Sequence, residues 1–185
     1  MAILTNWISD QLMRWFDHGV GLWRTVDNGL YWWQSANMLT AFNDLAIQDA
    51  TVKKNYYSVW EDCYRNAPHH NPNPKKRRRD DGSYETVYEF PSHEEVVRRK
   101  MKRQEVGFVN HFYDDEGWWA LAWIGALDNT GERKYLNEAI SIWHDMHAAW
   151  GRHKCGAIPW NKDSGSGPLS IPNGELPVRL RFFRC

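Results

Sequence analysis

Two adjacent carboxylates stand in the part of the sequence whose residue types are best suited to chemistry. Asp114 and Asp115 occur in the run HFYDDEGWWALAWIGALD, immediately ahead of a tryptophan-rich apolar stretch. Two carboxyl groups a few ångströms apart do not ionise independently, so one pKa rises while the other stays low. Such a pair supplies a proton donor and a charged nucleophile at one pH, which the cleavage of a sugar linkage with retention of configuration requires.

The same pair also fits the start of a helix. An Asp at a helix N-cap accepts hydrogen bonds from backbone N–H groups, and acidic side chains near the positive end of the helix dipole are stabilising. The local sequence leaves the capping and the catalytic interpretations of Asp114 and Asp115 open.

Tryptophans next to the acids are candidates for a sugar-binding surface, since an indole ring stacks on the apolar face of a pyranose. Trp118 and Trp119 follow the acids within one turn. Successive helical residues point about 100° apart, so at most one of the two faces the same cavity squarely. For Trp123, packing in the core is the favoured interpretation.

Two further segments join aromatic to polar side chains. In YWWQSAN, Trp33 and Asn37 share one helical face at i and i+4, and Gln34 follows Trp33 directly. In WNKD, Trp160 and Asp163 come after a loop with glycine and proline. We predict all five as substrate-binding candidates, although a solvated loop with one anchoring tryptophan explains the second segment equally well.

The basic run from Lys75 to Arg79 is typical of nucleic-acid or nuclear-localisation motifs. Two aspartates follow it at once, and 23 acidic residues balance the 23 basic ones of the chain. We therefore interpret the run as a solvated loop and predict no nucleic-acid partner. His144 and His147 have no accompanying set of acids and histidines, so no metal is predicted, and no cofactor either.

Composition bounds the class of protein. The chain has 185 residues, enough for one domain with a core, and its 12 tryptophans indicate large cores, wet pockets or both. No apolar run reaches the ~18 residues of a transmembrane span, and the first residues lack the profile of a signal peptide. The three cysteines show no metal-ligand spacing and allow at most one disulfide.

Apolar residues recur at helical spacing along most of the chain, and no strand alternation competes. The predicted helices are Trp7–Val20, Tyr31–Gln48, Asp49 (as a cap) to Asn66, Glu94–Gln104 capped by Ser92, Glu116–Leu127 buried all round, and Glu132–Trp150. The inward face of the last helix is predicted to hold Leu136, Ala139, Ile140, Trp143, Met146 and Trp150, with Asp145 outward. Residues 67–90 are predicted as a long exposed loop and 164–185 as an irregular tail. The predicted fold class is all-α, built from helical hairpins.

Several segments, in matching order, closely resemble glycoside hydrolase family 76, the endo-α-1,6-mannanases. They are YDDEGWWALAWI, TGERKYLNEAISIW and CGAIPWNKD, supported by YWWQSANMLTA and GSYETVYEF. The resemblance covers roughly residues 28–163. It implies an (α/α)6 toroid of paired helices whose cleft binds α-1,6-linked mannan and cleaves it with retention. In that family the first aspartate of the pair is the nucleophile and the second the general acid/base, which corresponds here to Asp114 and Asp115.

The resemblance also implies an incomplete chain, because family toroids have twelve helices in about twice this length. Residues 1–163 are thus predicted to form about half of a toroid, with an insertion near 67–90, and 164–185 to be a divergent tail. The apolar surface that a half-toroid leaves exposed favours self-association. Family members are secreted or at the cell surface, yet this chain shows no signal peptide, so its location stays open. Two functions remain: a mannan hydrolase or transglycosylase, and an inactive relic or mannan-binding protein.

Overall fold

Helices dominate the structure, a computed structural model that describes residues 2–101, 107–151, 156–163 and 165–175. The helices in these ranges are α1 (Ala2–Met13), α2 (Trp33–Gln48), α3 (Ala50–Asn55), α4 (Ser58–Asn66), α5 (His93–Met101), α6 (Tyr113–Thr130), α7 (Arg133–Ala149) and α8 (Ser170–Glu175). Short strands form two antiparallel pairs, β1 (Phe16–Asp17) with β2 (Leu22–Trp23) and β3 (Asn73–Arg78) with β4 (Tyr84–Glu89). The all-α class is confirmed. None of the described helices is long and apolar enough to cross a bilayer.

The core lies where α6 packs against both α2 and α7. Trp119 and Trp123 of α6 are fully buried, and the Trp123 ring stacks on Tyr135 of α7 with 5.3 Å between ring centroids. Gly131 ends α6 in the left-handed conformation (φ 72°), as its sequence position after Asn-Thr predicts. The helix predicted at Glu116–Leu127 is therefore present and extends by three residues at each end.

A buried asparagine of α2 fixes the contact between helices. The Asn43 side chain donates to the Ala122 carbonyl of α6 (2.8 Å) and accepts from the Trp60 indole N–H of α4 (2.7 Å). Gly125 makes the close approach possible, because a Cβ at that position would lie 2.5 Å from the Asn43 amide nitrogen. These directional bonds set the register of α2 against α6 and place Trp33, at the start of α2, relative to the start of α6.

The first helix is shorter than the predicted Trp7–Val20, because the chain turns after Met13. The Asp17 carboxylate accepts the backbone N–H groups of Gly19 (2.9 Å) and Val20 (3.1 Å), which stabilises the turn between β1 and β2. The predicted apolar face is consequently split. Phe16 joins the core, whereas Trp15 is 48% exposed.

The segment predicted as a long loop at 67–90 is instead a 3-10 helix (Ala67–His70) followed by the β3–β4 hairpin. Cross-strand ion pairs hold the hairpin together: Glu85 binds both Arg77 and Arg79, and Glu89 binds Lys75 (2.8 Å). The prolines and charges of this segment are typical of a loop, so the sequence did not indicate strands. The strands are stabilised by ion pairs between residues that are distant in the sequence. The basic run is thus largely matched by carboxylates.

Capping predictions hold at two helices. Asp49 accepts the Thr51 N–H (2.8 Å) at the start of α3, and the helix predicted to continue from there to Asn66 is divided into α3 and α4. Ser92 and Glu95 exchange side chain-to-backbone hydrogen bonds at the start of α5. Residues 102–104 of the predicted helix lie outside the described residues.

The face of α7 that packs inward is rotated relative to the prediction. Its buried residues are Tyr135, Ala139, Ile142, Met146 and Ala149. Trp150, predicted inward, is 49% exposed, and Asp145, predicted outward, turns toward Lys162. The stacking of Tyr135 on Trp123 determines this rotation, since it turns the start of α7 toward α6.

The tail predicted as irregular contains the short helix α8, which lies against α6. Its Asn173 side chain accepts the Ile158 N–H (2.9 Å) and donates to the Ile158 carbonyl (2.8 Å). This pair of bonds connects α8 to the segment 156–163, which contains two isolated β-bridge residues, Pro159 and Asn161. Residues 176–185 lie outside the described residues.

Candidate active site

The start of α6 is held by a neighbouring stretch of chain. Residues 158–163 pass beside the segment that enters the helix, with an antiparallel β-bridge between Phe112 and Asn161. The Tyr113 N–H donates to the Trp160 carbonyl (3.1 Å). These backbone contacts place the Trp160 side chain next to the first turn of α6, where the two aspartates lie.

Asp114 is a partly buried carboxyl group with a donor on each oxygen. The Trp160 indole N–H donates to Oδ2 (3.2 Å), and the Asp115 backbone N–H donates to Oδ1 (3.1 Å). Burial raises the pKa of Asp114, while these two hydrogen bonds lower it because they stabilise the carboxylate. Burial outweighs these bonds, so the pKa of Asp114 is raised above its usual value, whereas the sequence predicts that one member of the pair keeps a low pKa.

Asp115 is more deeply buried, at 5% exposure. The Tyr88 hydroxyl donates to its Oδ2, and the Asn110 amide nitrogen lies 3.4 Å from the same oxygen. The pKa of Asp115 is raised to about 7, because burial and the charge of Asp114, which raise it, outweigh the hydrogen bonds from Tyr88 and Asn110, which lower it. Near neutral pH, Asp115 therefore retains a proton in a large fraction of molecules.

A cavity of about 510 Å³ opens at these two carboxyl groups. This volume lies within the range of small-ligand sites. Side chains from α2, β4, the start of α6, the segment 158–163 and α8 line it, and most are aromatic: Trp33, Thr86, Tyr88, Phe112, Asp114, Asp115, Trp118, Trp160 and Ile171. The cavity has the mixed lining that a sugar needs, with apolar rings for its faces and carboxyl groups for its hydroxyls.

Helix capping does not account for the acidic pair. Phe112 occupies the N-cap position of α6, and no side-chain hydrogen bond caps it. Asp114 and Asp115 lie in the first turn, where the helix dipole favours their charged forms. Both side chains also line the cavity, and capping gives no reason for two carboxyl groups to lie there.

Three of the predicted aromatic candidates line the cavity, namely Trp33, Trp118 and Trp160. Trp33 is 42% exposed and Trp160 44% exposed, so their ring faces are open to a ligand. Gln34 and Asn37 are not among the lining residues, and the Asn37 amide donates to the Trp33 carbonyl of its own helix (3.3 Å).

Trp119 does not reach the cavity. It is fully buried, with its ring 5.3 Å from Trp32, 4.6 Å from Phe108 and 5.7 Å from Trp123 between centroids. The 100° turn between neighbouring helical residues separates the two tryptophans, so Trp118 faces the cavity and Trp119 the core. Trp119 is a core residue, and the substrate-binding role predicted for it is not retained.

Asp163 ties the segment 158–163 to the hairpin instead of lining the cavity. Its Oδ2 accepts from the Thr86 hydroxyl (2.6 Å) and from Lys76 Nζ, and its Oδ1 lies 3.2 Å from His111 Nε2. These partners hold the pKa of Asp163 below its usual value. Since Thr86 itself lines the cavity, Asp163 contributes to the site by positioning that wall.

Sequence reasoning missed the contribution of the hairpin. Thr86 and Tyr88 lie two residues apart on β4 and share one strand face, which is the face that meets the cavity. The alternation Tyr-x-Thr-x-Tyr in GSYETVYEF is the signal that would have identified the strand. Asn110 was missed as well, because nothing in its local sequence indicates the contact with Asp115.

A cluster of three titratable side chains forms around Glu116, the residue that follows the acidic pair in α6. Glu116 is fully buried, and burial raises its pKa well above its usual value. Lys162 Nζ lies 3.5 Å from Glu116 Oε1 and 2.6 Å from Asp145 Oδ2. This lysine joins the segment that carries Trp160 to α6 and α7, so the cluster secures the wall of the cavity.

Other chemistry has little support among the described residues. Within those ranges, no group of three or more His, Cys, Asp or Glu side chains is placed to hold a metal ion. A second cavity of about 520 Å³ lies beside β1 and β2, but its Asp17 carboxylate is already paired with Arg24 (2.7 Å). The cavity at Asp114 and Asp115 is therefore the candidate site.

No protein-family model matches the sequence, and no curated protein matches it. Solved structures do match. The GH76A alpha-1,6-mannanase from Salegentibacter sp. HEL1_6 is similar with a TM-score of 0.61 and 15% identity over 95% of this chain. The chain has a GH76-like fold.

Two inactive variants of the same enzyme are also similar, each with a TM-score of 0.59 and with 15% and 16% identity. In one, two consecutive aspartates are replaced by alanine in a complex with alpha-1,6-mannotetrose; in the other, by asparagine in a complex with alpha-1,6-mannotriose. This chain spans 42% of the length of each of these mannanase chains.

Proposed function

We propose that this chain is a glycosidase domain that acts on α-1,6-linked mannan by a retaining mechanism, with Asp114 as nucleophile and Asp115 as general acid/base. The observation that carries the proposal is the pair itself: two adjacent carboxyl groups at an aromatic cavity, Asp114 with a hydrogen-bond donor on each oxygen and Asp115 with its pKa raised to about 7. The similar mannanase, inactive when two consecutive aspartates are replaced, supports the assignment.

In the first step, the Asp114 carboxylate attacks the anomeric carbon and forms a glycosyl ester. Asp115 gives its proton to the departing glycosidic oxygen, so the leaving sugar departs as a neutral alcohol. The two donors on Asp114, from the Trp160 indole and the Asp115 backbone, hold its oxygens in a fixed orientation for this attack.

In the second step, the Asp115 carboxylate takes a proton from water or from a sugar hydroxyl, and the resulting oxygen nucleophile displaces Asp114 from the anomeric carbon. Water gives hydrolysis and a sugar hydroxyl gives transglycosylation. The raised pKa of Asp115 suits both steps, because a value near the working pH lets one group donate and then recover the proton.

Three tryptophans provide the proposed sugar-binding surface. Trp33 from α2, Trp118 from α6 and Trp160 from the segment 158–163 approach the cavity from different elements. Their rings are suited to the apolar faces of consecutive pyranoses. Replacing Trp33 or Trp118 by alanine is therefore expected to weaken binding more than it slows the chemical steps, whereas the loss of Trp160 also removes a donor to Asp114.

The test is cleavage of α-1,6-mannotetraose by the wild-type chain and by Asp114→Asn and Asp115→Asn, with products separated by chromatography. We expect each variant to lose activity, by about 10²–10⁴-fold for the acid/base residue. Asp44→Asn, the same substitution at an exposed position of α2, is the control and is expected to match wild type. Cleavage by Asp114→Asn at the wild-type rate would show that the assignment is wrong.

A second candidate function is mannan binding without catalysis. It is favoured by the aromatic lining of the cavity, because Trp33, Trp118 and Trp160 offer a surface for sugar rings whether or not the carboxyl groups cleave the linkage. Calorimetry with the same tetraose separates the two functions: binding by a wild-type chain that gives no products would support the binding protein.

A further inference from the structure

We propose that Tyr88 of the β3–β4 hairpin is a positioning residue for Asp115: its hydroxyl holds Oδ2 and thereby leaves Oδ1 as the atom that carries and transfers the proton. This inference rests on the proposed function, since it assigns a role in proton transfer at the same site. It adds a specific atom and a specific partner from a part of the chain outside α6.

The direction of the hydrogen bond follows from Asn110. The Asn110 side-chain N–H donates to the Tyr88 oxygen (3.2 Å), so a lone pair of that oxygen is occupied. The single proton of the hydroxyl is then free to point at Asp115 Oδ2, which is its hydrogen-bond acceptor. Burial and the nearby Asp115 charge raise the pKa of Tyr88, so it remains a neutral donor at any working pH.

Both hydrogen bonds to the Asp115 carboxyl group fall on the same oxygen. Tyr88 and Asn110 converge on Oδ2, whereas Oδ1 has no hydrogen-bond partner among the residues that the structure describes. A carboxylic acid carries its proton on the oxygen that is not already accepting strong donors. Oδ1 is consequently the proton-bearing atom, and Asp115 lines the cavity.

The hairpin holds the Tyr88 ring independently of its hydroxyl. The ring packs on Phe112 with 4.5 Å between centroids, and two residues earlier Thr86 is bound to Asp163 (2.6 Å). At the base of the hairpin, Arg99 of α5 donates to the Asn73 side chain (2.8 Å). Removing only the hydroxyl is thus a clean perturbation, because the ring and the strand keep their other contacts.

The charged and polar groups that face Asp115 act in opposite directions. Asp114, its neighbour on α6, raises the pKa of Asp115, and the donors from β4 and from the segment before α6 lower it. Tyr88→Phe removes one of the two lowering contributions. The proton donor of this variant is therefore expected to stay protonated to a higher pH.

The experiment compares the pH dependence of kcat/KM on α-1,6-mannotetraose for wild type, Tyr88→Phe and Tyr84→Phe. For Tyr88→Phe we expect the alkaline limb of the kcat/KM profile to move up by about one pH unit or more, because a hydrogen bond that stabilises the charged carboxylate is lost. We expect the plateau of kcat/KM to fall by about tenfold, because Oδ1 is no longer held as the proton-bearing atom. Tyr84→Phe is the matched control, since Tyr84 lies on the same strand and is 67% exposed. Its profile is expected to match wild type.

A direct titration keeps this inference separate from the proposed function. Carbon-13 NMR of the Asp115 carboxyl group measures its pKa without any substrate, and Tyr88→Phe is expected to raise that pKa by the same amount. If the wild-type chain does not cleave the tetraose, the proposed function is wrong. The titration still measures how much the Tyr88 hydrogen bond changes the pKa of Asp115. An unchanged or lowered pKa in Tyr88→Phe would overturn the inference.

A second variant covers the case in which Tyr88→Phe does not fold. Asn110→Ser removes the amide that orients the hydroxyl but keeps an oxygen for the Phe112 N–H, which Asn110 accepts at 2.8 Å. The inference predicts a shift of the Asp115 pKa in the same direction and of smaller size. An Asp115 pKa that is unchanged or lowered in Asn110→Ser would overturn the inference.

Discussion

Replacing Asp115 by asparagine is expected to stabilise the fold at neutral and alkaline pH while it lowers activity by about 10²–10⁴-fold. In the folded chain the pKa of Asp115 is raised from 3.8 to about 7, so folding retains a proton that the unfolded chain has released. Stability from this group is complete below about pH 4 and is lost as the pH rises to about 7. A shift of about three units corresponds to roughly 4 kcal/mol, an upper bound, because each unit is worth about 1.36 kcal/mol.

The assay is urea unfolding of wild type and Asp115→Asn at several pH values between 4 and 8. Relative to wild type, the variant should gain up to about 4 kcal/mol between the two ends of this range, since asparagine keeps the shape and an acceptor for Tyr88 but carries no charge. For a chain of this size, each kcal/mol corresponds to a rise of about 2–4 °C in Tm. Asp44→Asn, at an exposed position, is the control for a generic effect of losing a carboxyl group.

A constant difference between variant and wild type across this pH range would refute the reasoning. It would mean that Asp115 ionises at its ordinary pKa in the folded chain, and that burial at the start of α6 does not hold its proton. The proposed division of roles between the two aspartates would then lose its electrostatic basis.

Two further predictions concern the supports of the site. Gly125→Ala is expected to destabilise the fold by about 1–3 kcal/mol, because the added Cβ would lie 2.5 Å from the Asn43 amide nitrogen. Thermal unfolding measures this loss. An unchanged Tm would show that the contact between α2 and α6 accommodates the added methyl group without cost. Trp160→Phe removes the indole donor to Asp114, so the pKa of that nucleophile is expected to rise and the acidic limb of the kcat/KM profile to move to higher pH. An acidic limb that stays in place would show that the indole hydrogen bond does not support the carboxylate.

The elements that local patterns specify were predictable from the sequence. The charge-free stretch after Trp118 indicates the buried helix α6, Gly131 indicates its end, and Ser92 with Glu95 indicates the start of α5. These features depend on neighbours within about one helical turn. The adjacent aspartates were identified for the same reason.

Features that depend on distant parts of the chain were not predictable. The β3–β4 hairpin is stabilised by pairs such as Lys75 with Glu89, which an analysis of local composition treats as loop charges. Asp163 was expected in the cavity, but its carboxylate instead accepts hydrogen bonds from Lys76 and Thr86 of the hairpin. The burial of Glu116 beside Lys162 likewise arises only when the segment 158–163 packs against α6.

The distinction between Trp118 and Trp119 shows where the sequence is informative and where it is not. Helical geometry alone establishes that the two rings diverge by about 100°. Which of them faces the cavity is decided by Trp32 and Phe108, whose rings surround Trp119 in the core. Neither of these contacts is visible in local sequence.

The central claim is most directly tested by mass spectrometry of the peptide that contains Asp114 after incubation with an α-mannobiosyl fluoride. Fluoride departs without a proton donor, so Asp115→Asn should form the glycosyl ester and release it slowly, and the peptide should gain the mass of one mannobiosyl group. Asp114→Asn should gain nothing. An adduct that persists in Asp114→Asn, or wild-type cleavage of mannotetraose with no adduct on Asp114 in the Asp115→Asn variant, would contradict the account.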